Sequence, residues 1–211
     1  MTFGQYCDPH LRWTERVKNI ITPGYQKEGA YINSINCGVS GETTLLGLVR
    51  FAKDVQNNAP DIVTLQFGLN DCNCWQTDRG LPRVSPQCFE FNLIEMIDRA
   101  RHFGCAHVIL MTNHTVLREK RMISGEMYKN ADERYSKIIH EVAEKTKTTL
   151  CDIRSVFKSL KENEVKELLL PYPDLLHLSP KGHELYAQTI LPFIKRAIDD
   201  LLQKKLKKSR V

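Results

Sequence analysis

The chain is predicted to fold as one α/β domain, a parallel sheet with helices on both faces, and three observations predict it. Short β-rich apolar runs alternate with longer segments of helical periodicity. The runs are mostly apolar without polar alternation, as strands buried on both faces are. At 211 residues, 42% hydrophobic and 26% charged, the chain can build one sizeable core and is too short for two.

The elements follow in order. A first helix starts near Pro9 and carries Trp13, Val17 and Ile20 inward. A strand is expected over Tyr31–Asn36, a short and mostly apolar run that leads into a glycine-containing loop. The second helix, about Thr44–Asn57, places Leu45, Leu48, Val49 and Ala52 on one face. Ile62–Phe67 forms the next strand. The third helix begins at Ser85-Pro86, an N-cap followed by a first-turn proline, runs through Phe89, Leu93, Met96, Ile97 and Ala100, and stops at Gly104. Val108–Thr112 and Thr149–Ile153 are the remaining strands, separated by a helix over Tyr128–Lys145 with Ile138, Ile139 and Val142 inward. The last helix begins after Ser179-Pro180 and runs to about Lys204, with Pro192 inside it.

Two connections, Asp71–Val84 and Asn113–Met127, are longer than packing needs, and both follow the C-terminal end of a strand. Ligands of open parallel sheets bind along that edge, so both loops are candidate substrate walls.

Composition excludes several classes. Eleven glycines and nine prolines occur without a period, which removes collagen-like and solenoid folds. No apolar stretch reaches the ~18 residues of a membrane span and no signal peptide opens the chain, so a cytoplasmic protein is expected. The seven cysteines are an odd number without a Cys-x-x-Cys pair, which favours free thiols over disulfides and leaves no expected metal site. The net charge of +5 is located in residues 195–211, where seven basic side chains face Asp199 and Asp200. The body is neutral. A basic tail at about 204–211 reads as a solvated helix end, and nucleic acid is not an expected partner.

Three short constellations at strand ends carry candidate chemistry. Asn36-Cys37-Gly38-Val39-Ser40-Gly41-Glu42-Thr43 leads into a helix and lets backbone amides face a cleft. Gly68-Leu69-Asn70-Asp71 offers an uncharged amide donor, Asn70, where an oxyanion could develop. Asp174-Leu175-Leu176-His177 places a carboxylate three residues before an imidazole, where it can bind Nδ1 and leave Nε2 to act as a base. Each alone is also ordinary turn chemistry. His114 at a strand end could reach the cleft rim or bond backbone, Trp75 and Arg79 could line a pocket or cap their own loop, and His183 is expected to be structural.

Taken together and in this order, the three resemble the conserved blocks of the SGNH hydrolases, the GDSL-like esterases and lipases. The resemblance spans essentially the whole chain. It implies a three-layer α/β/α fold with a flavodoxin-like parallel sheet of order 2-1-3-4-5, Asp174 and His177 as catalytic residues, and Gly41 and Asn70 as oxyanion donors. It further implies a serine ester hydrolase working through an acyl-enzyme on a small ester, an acylated carbohydrate or a lipid, with no cofactor. One block is missing. No Gly-Asp-Ser occurs in the sequence.

Members of that family commonly continue after the serine as x-Thr-x-Gly, and this chain opens Met1-Thr2-Phe3-Gly4. That register puts the nucleophile immediately before Met1, leaves the first strand missing or incomplete, and predicts that the 211 residues alone are inactive. A rival register sets Tyr6 at the serine position, which leaves two residues for a strand against the usual ~5–6. Ser40, Cys7 and Tyr6 are weaker substitutes for the nucleophile. A start internal to the true reading frame, a filled gap and a degraded relative remain the three accounts. The alternative function is a non-catalytic module that keeps the cleft and binds an acylated or sugar ligand.

Overall fold

Alternate residues of the central strand point to opposite layers, and that period of two organises the core. In β2 (His107–Met111), Val108 and Leu110 pack with one cluster while Ile109 and Met111 pack with the other. The first cluster is covered by α2 (Thr44–Asp54), α3 (Pro86–His102) and α4 (Tyr128–Lys145), through Phe51, Phe89, Leu93, Met96 and Val142. The second lies under α1 (Trp13–Lys27) and α7 (Pro180–Lys208), with Trp13, Val17, Ile21, Tyr186 and Ile190 buried there. A sheet faced by helices on both sides is the α/β architecture read from the sequence. The structure, a computed structural model, describes residues 1–208; positions 209–211 of the expected basic tail lie outside the described residues.

Among the described residues the sheet has three parallel strands in the order β1 (Ile62–Leu65), β2, β3 (Thr149–Cys151). Val63 pairs with Val108, and Leu110 with Leu150. Ile153, expected at the end of the last strand, instead begins the short helix α5 (Ile153–Lys158), capped by Asp152, whose carboxylate accepts the Ser155 N–H. Neither α5 nor α6 (Glu162–Leu168) was signalled by a long periodic pattern.

Tyr31–Asn36 is not a strand. Its residues carry β propensity, but a strand exists only against a partner. The segment has none, and Tyr31 is 86% exposed. β1 has a strand on one side only, so the sheet ends where the resemblance would place an interior strand.

Helix α3 matches its sequence signals. The Ser85 Oγ accepts the Cys88 N–H at 3.2 Å, Pro86 opens the helix, Gly104 follows it at φ +88°, and all five anticipated apolar residues are buried. In α2 only Leu48 of the anticipated inward face packs against the core, and the rest of that face is turned outward. Leu45 and Val49 are exposed, as is Ala52, and the buried residues are Thr44, Gly47 and Phe51. Gly47 explains the inversion: a Cβ there would lie 2.6 Å from Phe67 Cζ, so the helix rests on its smallest residue. In α1 a 3₁₀ turn over Pro9–Leu11 precedes the helix, and Ile21 rather than Ile20 packs inward. Helix α7 extends to Lys208, and its Asp200 joins His107 at 2.9 Å and Lys204 at 2.7 Å. No described helix is long and apolar enough to cross a membrane. All seven cysteines are free thiols.

Candidate active site

The strand β1 delivers Gly68-Leu69-Asn70-Asp71 at its C-terminal end. Gly68 sits at φ +125°, and a Cβ there would meet Asn113 Nδ2 at 2.9 Å, so both conformation and space call for glycine. Asp71 is fully buried and satisfied by three donors: the Thr44 N–H at 2.7 Å, the Thr44 hydroxyl at 2.6 Å and the Gly68 N–H at 3.0 Å. Burial raises its pKa from the ordinary carboxylate value, against the lowering pull of those donors. The carboxylate thereby ties the end of β1 to the first turn of α2. That tie also positions the neighbours, because Asn70 Nδ2 donates to the Glu42 carbonyl at 3.0 Å. Asn70 and the glycine loop are held side by side. Gly41 itself is at φ +75°, and its carbonyl accepts from Arg83 Nη1 at 2.8 Å.

Asp174 and His177 come from the turn before α7. Asp174 Oδ1 accepts the N–H groups of Leu176 at 3.0 Å and His177 at 2.6 Å, which folds the turn on itself. Its Oδ2 lies 2.8 Å from His177 Nδ1. Opposite that carboxylate, the ring is assigned as the Nδ1–H tautomer, leaving Nε2 unprotonated. Burial pushes the Asp174 pKa up, but hydrogen bonds from the His177 amide, the His177 ring and the Leu176 amide outweigh it and hold the group below its ordinary value. Arg118 grips the same residue twice, Nε on the backbone carbonyl at 2.6 Å and Nη2 on Oδ2 at 2.7 Å.

Gly41, Asn70 and His177 line one cavity of ≈ 210 Å³, together with Met1 and Ser40. Asp174 is not in its wall; it stands behind the imidazole. The Met1 amine is buried, and burial lowers its pKa from 8.0 to about 6. The possible substitute nucleophiles are placed as follows. Ser40 donates its hydroxyl to Gln5 Oε1. Tyr6 is exposed, with its ring edge-on to His177 at 5.3 Å. Cys7 is buried, and burial raises its pKa.

His114 is not at the cleft rim. It is fully buried, its Nε2 donating to the Leu176 carbonyl at 2.8 Å and its Nδ1 accepting from Tyr186 Oη at 2.6 Å, and burial lowers its pKa to about 3. It braces the turn that carries His177. His183 accepts the Trp13 N–H at 3.3 Å and is structural, its pKa lowered by burial to about 4. Trp75 lies under the Arg83 guanidinium at 3.9 Å and is not in the cavity wall. Sequence reading marked the loops but missed Arg118 and Lys120, both of which line the cavity. In a loop without periodicity, no pattern says which of several cations turns inward.

Residues 1–185 match the GDSL-like Lipase/Acylhydrolase family. An acetylxylan esterase of Geobacillus stearothermophilus is 26% identical over 168 residues, covering 76% of this chain and 71% of that protein. An arylesterase of Vibrio mimicus is 32% identical over 85 residues, 40% of this chain, so the matched part spans only 38% of that relative's length. Among solved structures, a lipase/acylhydrolase from Enterococcus faecalis superposes with a TM-score of 0.67 at 27% identity, covering 85% of this chain and 84% of that one.

Proposed function

The chain belongs to the GDSL-like lipase/acylhydrolase family, and on that premise we propose that it carries the oxyanion donors and the acid–base pair of a serine ester hydrolase whose nucleophile immediately precedes Met1. In this reading the serine hydroxyl attacks the ester carbonyl, His177 Nε2 takes its proton and returns it to the leaving alcohol, and Asp174 steadies the imidazolium. The Gly41 N–H, the Asn70 carboxamide and the serine's own N–H hold the oxyanion. A water then releases the acid through the same groups in reverse. The 211 residues alone are inactive, and acetylated xylan and aryl esters, to which the relatives' names point, are the substrates to test first.

The observation that carries the reading is the shared cavity, whose wall holds Gly41, Asn70, His177 and Met1 together. Two further features support it. An amine loses much of its hydration when buried, yet the Met1 amine lies inside; a peptide bond at that position would remove the cost. The free side of β1 and the unpaired Tyr31–Asn36 segment are the two edges that an added central strand would satisfy.

The test compares turnover of p-nitrophenyl esters, acetate through decanoate, by the 211-residue chain and by a chain extended through its upstream codons. Turnover by the extended chain alone is expected. An in-frame stop within a few codons upstream, with no Gly-Asp-Ser before it, would end the proposal. The hydroxyls of the cavity wall, Ser40 and Tyr128, are both engaged, donating to Gln5 Oε1 and to the Leu69 carbonyl, which also suits a second reading, a non-catalytic module that binds an acylated or sugar ligand. Labelling of the extended chain by a serine-reactive fluorophosphonate separates the two, since the module would stay unlabelled.

A further inference from the structure

The cavity wall holds a charged side chain to which the proposed chemistry gives no role. Lys120 lines the same cavity as Gly41, Asn70 and His177. Its Nζ donates to Asn73 Oδ1 at 2.9 Å and lies 5.9 Å from the centre of the Tyr128 ring. Both are neutral partners. Among the described residues, no carboxylate forms an ion pair with Lys120, and no Asp or Glu lines the cavity. Of the nearby acids, Glu42 pairs with Arg50, Glu126 with Arg134, and Asp174 with Arg118 and His177, while Glu119, the residue before Lys120, is exposed and outside the cavity wall. Arg118, the other cation in the wall, is therefore neutralised where it stands, and Lys120 is not.

The lysine is also held in place. Asn73 joins the two long loops, its carbonyl accepting the Arg83 N–H at 2.9 Å and its Oδ1 taking Lys120. Across that junction Arg83 adds a second cation without a carboxylate, bonded to the Gly41 carbonyl and stacked on Trp75. Asn73 Oδ1 also accepts the Cys74 N–H at 2.9 Å, so the ammonium shares its carboxamide acceptor with a backbone donor. Lys120 as a residue is partly buried, and an ammonium facing a cavity is compensated more strongly by an anion than by a carboxamide. The wall supplies no such anion.

We propose that Lys120 is a specificity-determining residue that binds a carboxylate carried by the substrate, so that the cavity selects an anionic ester. The inference rests on the ester-hydrolase reading of the site and adds to it the charge of the substrate. The ester carbonyl lies between Gly41 and Asn70, and the carboxylate reaches the Asn73 side of the cavity, where the ammonium replaces part of its hydration.

The experiment measures binding to the 211-residue chain, which needs no nucleophile. Monomethyl succinate and dimethyl succinate are titrated by calorimetry while the His177 ring protons are followed by NMR. The monoester is expected to bind roughly tenfold to a hundredfold more tightly, as a charge-assisted hydrogen bond gives, with the preference shrinking as salt is raised. Lys120→Met is expected to bring the monoester down to the affinity of the diester, and Lys120→Arg to restore most of the preference. Should Lys120→Met not fold, Lys120→Gln gives the same readout.

Equal affinity for the two esters, a preference that survives loss of the ammonium, or binding of neither would overturn the proposal. A lysine that merely ties the loops would weaken both ligands alike on substitution, which also overturns it. The esterase reading fails separately, when an upstream-extended chain carrying the serine turns over no ester while the charge preference persists.

Discussion

Acetylating the Met1 amine should stabilise the chain at acid pH and do so far less at alkaline pH. The amine is buried, and burial lowers its pKa from 8.0 to about 6. Between those values the unfolded chain holds the proton and the folded chain gives it up, so this amine's contribution is fully present above pH 8 and is lost as pH falls through 6. Two units at ~1.4 kcal/mol each give about 2–3 kcal/mol of stability missing once the amine is charged. An acetyl cap removes the charge and with it the loss. Its added bulk costs the same at every pH, so the informative quantity is a difference of differences. Urea unfolding of acetylated and free chains, Met1 retained in both and checked by mass, is measured at about one unit below and one unit above the titration window. The benefit of the cap is expected to be larger on the acid side by about 2–3 kcal/mol, or several degrees in Tm for a chain of this size. A benefit that is equal on both sides would show that the amine stays hydrated, and would remove one support for a residue before Met1.

Three further outcomes are expected. In a chain extended through the nucleophile, Asn70→Ala lowers kcat by ~10²–10³ with a smaller change in KM; unchanged turnover would remove Asn70 from the oxyanion site. Asp71→Ala leaves the Thr44 N–H, the Thr44 hydroxyl and the Gly68 N–H buried without an acceptor, and urea unfolding should show a loss of about 3 kcal/mol or more. His114 and His183, with pKa values lowered from 6.5 to about 3 and about 4, are neutral in the fold and protonate on unfolding, so stability falls as pH drops below 6.5. His183→Asn should flatten that fall, and an unaltered pH profile of the urea midpoint would contradict the assignment.

Local signals wrote some elements completely. Helix α3 has its cap, its first-turn proline, its apolar stripe and its glycine stop within one stretch, and the structure follows each. The strand expected at Tyr31–Asn36 shows the opposite case: propensity is local, but a ladder needs a partner that the segment itself does not contain. The inverted face of α2 has a related cause, since only the approach of Phe67 and Met96 reveals why Gly47 turns inward and Val49 outward. In the candidate site, the Asp174–His177 pair was legible because its partners lie three residues apart in one turn. The meeting of Gly41, Asn70 and His177 in one cavity followed from the order of motifs along the chain, not from any one of them. Arg118 and Lys120 were illegible because they enter from a loop whose path is set by Asp174 and Asn73, far away in sequence.

The Asp71 carboxylate makes one rigid piece of what the chain encodes as two. Because it clasps the first turn of α2 to the end of β1, and Asn70 bonds across to Glu42, any shift of α2 carries Asn70 and Gly41 with it. The 72–84 and 113–127 loops can therefore vary without disturbing that piece so long as they keep Arg83, which bonds the Gly41 carbonyl, and Arg118, which holds Asp174. Under the ester-hydrolase reading, a designer seeking new specificity would vary the rest of those loops and leave Thr44, Gly68, Asp71, Arg83 and Arg118 alone.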